Sequence, residues 1–108
     1  MDDLTFTQMQ DWQRALQEKY LAKWGGLSPQ VGREKLLWML AEAGEAAQVL
    51  KHDGDDGVLH DAAVREHFIE EMCDVLMYCN DVLLCYGVTP QELSQIYEKK
   101  FNRNMARW

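Results

Sequence analysis

An all-α fold is predicted by three observations. Apolar residues recur at helical spacing in every long segment, no segment alternates with a period of two, and helix-start signals precede three of the segments. The expected arrangement is a four-helix bundle of one long central helix and three partners, completed by oligomerisation. A chain of 108 residues suits one domain over 1–108 with a modest core.

The first helix is read from TFTQMQDWQRALQEKYLAKW, where Phe6, Met9, Leu16 and Tyr20 share a face and Thr5 with Gln8 forms a capping box. GGLSPQ breaks the chain, and Ser28-Pro29 supplies an N-cap followed by proline at the first helical position. The second helix is predicted to run to about Lys51, with Leu36, Leu40, Ala43, Ala47 and Leu50 as its apolar stripe. HDGDDG then reads as a solvated acidic turn. It does not read as a calcium loop, because Gly57 and Val58 fall where an EF-hand needs an oxygen ligand and then glycine. A third helix is expected over about Asp61–Tyr86, ended by Gly87, and Thr89-Pro90-Gln91-Glu92 starts the fourth with a capping box.

A net charge of −7 and a pI near 4.8 exclude a nucleic-acid polymer as the expected partner, since phosphate contacts need a basic face. A small phosphorylated ligand is compatible if a metal ion reverses the local charge. No apolar run approaches the roughly 18 residues that span a bilayer, and the first residues lack the basic-then-apolar form of a signal peptide. The expectation is a cytoplasmic protein with no membrane partner. Cys73, Cys79 and Cys85 are spaced six apart, so on one helix they point about 120° from one another and cannot converge on zinc. They are expected to be reduced and buried.

Two helices carry paired carboxylates. Residues three apart stack on one helix face, so Glu42 with Glu45 and Glu71 with Asp74 are pairs. Trp38 lies one turn before the first pair, and Tyr78 one turn after the second. On the second helix a solvated face accounts for the pair, since Glu34, Lys35 and Gln48 share its arc. On the third helix it fits poorly, because Val64, Phe68, Val75 and Val82 surround the acids. Clustered buried carboxylates persist only with protons or counter-charge. With no lysine or arginine mid-helix, a cation from solution is the economical supplier, and hard oxygen ligands suit Mg²⁺ or Mn²⁺.

EAGEAAQVL and EEMCDVLMY resemble the two signature helices of the MazG-like all-α nucleoside triphosphate pyrophosphohydrolases. A third element, KFNRNMAR, is similar to that family's Lys-x-x-x-Asn-x-x-Arg and selects Lys100, Asn104 and Arg107. The chain departs from many members at Ala41, where a glutamate doublet usually opens the first motif. Its own doublet is Glu70-Glu71, as in relatives acting on deoxycytidine or related nucleotides. The resemblance implies Mg²⁺-dependent hydrolysis of a nucleoside triphosphate to the monophosphate and pyrophosphate. It implies Glu42, Glu45, Glu71 and Asp74 as metal ligands and catalytic residues. It implies phosphate binding by Lys100 and Arg107 with Asn104 as hydrogen-bond donor. Trp38 and Tyr78 are candidates to border the base, His67 to contact substrate and Glu70 to act as a supporting base, with ordinary packing or a solvated charge as the alternatives. The resemblance further implies a homodimer or dimer of dimers with sites near the subunit interface, a state also expected because the third helix is apolar nearly all round.

The rival class is a non-enzymatic helical module that binds itself or a partner. A di-iron bundle is set aside because Val49, Gly57 and Val64, not glutamates, stand three residues before the histidines. Gly-x-x-x-x-Gly-Lys and Gly-x-Gly-x-x-Gly are both missing, which sets aside P-loop and Rossmann chemistry.

Overall fold

The computed structural model describes residues 2–107 as five helices: α1 (Phe6–Lys19), α2 (Leu21–Trp24), α3 (Pro29–His60), α4 (Ala62–Cys85) and α5 (Pro90–Arg107). No strand occurs among the described residues, and no helix there is long and apolar enough to cross a membrane.

Local hydrogen bonding explains the helix starts. The Gln8 amide donates to Thr5 Oγ1 at 3.1 Å, while the Thr5 amide donates to Gln8 Oε1 at 2.8 Å. The Val31 amide donates to Ser28 Oγ ahead of α3, and Asp61 accepts from the Ala63 and Val64 amides ahead of α4. Thr89 and Glu92 form the reciprocal box of α5. At the end of α4, Gly87 takes a φ of 67°, and the Val88 amide returns to the Leu83 carbonyl at 2.9 Å.

Three expectations about the helices are corrected. The predicted tail of the first helix is a separate single turn, α2, closed by Gly25 in the left-handed region. The acidic turn after Lys51 is helical. Gly54 kinks the chain at φ 75°, and helix resumes to His60 because Val58 buries against the bundle. The predicted stripe of α3 faces outward, with Leu40 61% exposed, and Ala46 and Val49 are buried instead. Small side chains on that second face let α3 and α4 approach closely. At Gly32 a Cβ would come within 2.9 Å of Cys85 Cβ, so glycine is required there.

The pairings of Gly32 with Cys85 and of Gly57 with Val64 make α3 and α4 antiparallel. α1 packs on α4, where Gln13 bonds Asp81 and Met9 meets Asn80; Gln10, Gln13 and Gln17 are all buried, whereas the predicted face residues Phe6 and Tyr20 are exposed. α5 touches only α1 among the described helices and buries none of its residues. α4 therefore has two packed neighbours rather than three. The cysteines are free, but only Cys85 is buried, while Cys79 is half-buried and Cys73 exposed, so the expected burial holds for one of the three.

Candidate metal and nucleotide site

The antiparallel packing of α3 on α4 sets the carboxylates of the two helices against one another. One oxygen each of Glu42, Glu45 and Glu71 lie within 4.8 Å of one another. Glu42 Oε2 and Glu71 Oε2 are buried without a hydrogen-bond partner among the described residues. Glu45 itself is exposed, so the cluster opens to solvent on one side. Asp74, half-buried, stands outside this tight group, yet its charge acts on Glu42. Burial, a hydrogen bond with Glu45, and the charges of Glu45, Asp74 and Glu71 raise the Glu42 carboxyl from 4.5 to about 7.

One recess borders the cluster, and a second reaches Asp74 and Trp38. One, of about 390 Å³, is bordered by Glu45, Glu71, His52, Asp53 and His67. His67 is exposed and its Nε2 lies 3.2 Å from Glu71 Oε1. The other, of about 380 Å³, is a cleft lined by Trp24, Trp38, Tyr78, Asp74, Lys35 and Asp81. Burial and then the negative charges of Glu42, Asp81, Asp74 and Glu45 hold the Tyr78 phenol above its usual value.

Lys35 and Asp81 occupy this cleft as an ion pair. Lys35 Nζ is 3.3 Å from Asp81 Oδ2, with the two side chains only 13% and 5% exposed. Gln13 Nε2 donates to Asp81 Oδ1 at 2.9 Å. The Lys35 ammonium also lies 5.6 Å from the Trp24 ring centre and 5.5 Å from that of Tyr78. Lys35 thus leaves the solvated arc to which its neighbours Glu34 and Gln48 belong. Sequence reasoning missed Gln13, Trp24, Lys35 and Asp81. A signal existed: Lys35 stands seven residues before Glu42 and Asp81 seven after Asp74, two turns along the same helix faces.

Of Lys100, Asn104 and Arg107, neither Lys100 nor Asn104 is paired with a carboxylate of α3 or α4 in its own chain. They lie on α5, which contacts neither α3 nor α4. Lys100 and Arg107 are exposed and Asn104 is half-buried; Glu70 is exposed beside Glu71.

The donor set fits a hard divalent cation. It is all oxygen, drawn from two helices, and it retains buried oxygens with no hydrogen-bond donor. Comparison with known protein families, curated proteins and solved structures finds no match for the chain.

Proposed function

We propose that the chain is a MazG-like, Mg²⁺-dependent nucleoside triphosphate pyrophosphohydrolase. The observation that carries this reading is the convergence of Glu42, Glu45 and Glu71, with partnerless buried oxygens, beside an aromatic cleft. Glu42, Glu45, Glu71 and Asp74 would hold Mg²⁺ (or Mn²⁺). The bound ion supplies polarisation of the phosphate under attack and a more acidic water.

The chain's own residues account for the rest of the reaction. The carboxylates set where the triphosphate lies, and their charge keeps it off the cluster unless cations are bound. Trp38 and Tyr78 offer flat faces for the base and help to exclude water. Lys100, Asn104 and Arg107 bind the outer phosphates and stabilise the departing pyrophosphate. Because α5 leaves its own bundle, they act on the site of a second copy, in a homodimer or dimer of dimers. Support for that assembly comes from the apolar side chains left in water: Leu37 and Leu40 on α3, Ile69 and Leu76 on α4, and Phe101 and Met105 on α5.

Hydrolysis in ¹⁸O-labelled water with Mg²⁺ tests the reaction. Label is expected in the nucleoside monophosphate, with unlabelled pyrophosphate as the other product. Label in orthophosphate, with a diphosphate as the other product, refutes it. The second reading, a non-enzymatic helical oligomer, draws on the same exposed apolar faces. A calorimetric Mg²⁺ titration separates the two, since an oligomerisation module has no reason to bind the ion tightly.

A further inference from the structure

The Lys35–Asp81 pair ties α3 to α4 and, through Gln13, to α1, but it is a costly tie. Burying two charges costs several kcal/mol per ion, and apolar residues of similar volume often serve as well. The pair nonetheless borders the aromatic cleft, with Asp81 almost wholly buried and held on its second oxygen by Gln13. Seven residues advance a helix by about 10.5 Å, which separates the pair from the carboxylate cluster by two turns. Trp38 and Tyr78 lie on the turns between. A sugar and a base fill that span when the phosphates lie at the carboxylates.

We propose that Lys35 and Asp81, braced by Gln13, read the edge of the nucleobase and so decide which nucleoside triphosphate is accepted. The proposal rests on the pyrophosphohydrolase reading. An ammonium has three donors and a carboxylate accepts only. Among the described residues Asp81 is the one hydrogen-bond acceptor of Lys35, and the ammonium otherwise lies against the Trp24 and Tyr78 rings, so its other two protons have no oxygen or nitrogen acceptor. The carboxylate likewise keeps lone pairs beyond those used by Lys35 and Gln13. Donors therefore stand beside acceptors at a fixed spacing. That pattern suits a heteroaromatic ring carrying an N–H next to a ring nitrogen or carbonyl oxygen. A phosphate has acceptors alone and would meet the Asp81 charge. A purely apolar ring would shut water out of the cleft and leave the spare donor and acceptor positions of the pair unused, the kind of mismatch that polar sites reject most strongly.

The test compares kcat/KM for dATP, dCTP, dGTP and dTTP, each with Mg²⁺, in the wild type, Asp81→Asn and Gln13→Met. Asp81→Asn places a donor where only an acceptor stood. The ratio of the preferred base to the others is expected to change by at least about 10-fold, the range of one well-formed base contact. The change should appear in KM, with the Mg²⁺ half-saturation point unmoved. A loss equal for all four bases overturns the proposal, since a merely structural role would act uniformly. If Asp81→Asn does not fold, as read by circular dichroism, Gln13→Met decides by the same ratio, because it removes a neutral donor and keeps the ion pair. A wild type that hydrolyses none of the four overturns the pyrophosphohydrolase reading, and base reading with it, before any variant is assayed.

Discussion

Glu42→Gln in metal-free protein converts the crowding of the carboxylates into a measurable change of stability. The Glu42 carboxyl is raised from 4.5 to about 7 by burial and by its acidic neighbours. Between those values the folded chain keeps a proton that the unfolded chain has released. The native state then binds more protons, so stability falls as pH rises through this window. At about 1.36 kcal/mol per pKa unit the full effect has a ceiling of about 3 kcal/mol. Solvent on the open side of the cluster screens it, which leaves about 1 kcal/mol. For a domain of this size that corresponds to about 4–8 °C in Tm. Glutamine cannot ionise. The Tm of the variant minus that of the wild type, measured in chelator, is therefore expected to be near zero at pH 4.5 and positive at pH 8. With saturating Mg²⁺ the sign should reverse, because only the wild type keeps the ligand. A Tm difference that stays flat with pH in chelator refutes the crowded-cluster argument.

Glu71→Gln is expected to abolish triphosphate hydrolysis while the metal-free Tm holds or rises; near-normal turnover removes Glu71 from the site. Light scattering at micromolar concentration should report a multiple of 12.6 kDa, and a monomer contradicts the assembly. Glu71→Gln and Lys100→Ala chains, each inactive alone, should recover about a quarter of wild-type activity when refolded together as dimers, since half the dimers are mixed and each holds one intact site. No recovery means that α5 serves no neighbouring chain.

What could be read from the sequence divides along the range of the interaction. The caps at Thr5, Ser28 and Thr89 involve groups within three residues of one another, and the structure forms each where the sequence places it. The convergence of Glu42, Glu45 and Glu71 follows once two paired acids are set on adjacent antiparallel helices. Gly54 was harder. A glycine among aspartates signals a stop, but whether helix resumes depends on Val58 finding a buried place. The face of α3 was misjudged because both of its faces are apolar, and only packing selects Ala46 and Val49 over Leu36 and Leu40. Lys35 and Asp81 were out of reach for a related reason: each looks like a surface charge until the other is set opposite it.

The buried glutamines of α1 make its junction with α4 unlike an oily helix contact. Gln17 is 2% exposed, and neither of its amide atoms has a partner among the described residues; Gln10 Nε2 and Asn80 Oδ1 are in the same position. Each such group forfeits its hydration on folding and recovers it whenever α1 lifts away. Lifting α1 therefore exposes little grease and rewets several starved amides, so the opening is cheap compared with parting α3 from α4. Gln13 travels with α1, so each excursion unlatches Asp81 and uncovers one wall of the cleft. The seam between α1 and α4 is also the doorway to the buried Gln13–Asp81 contact.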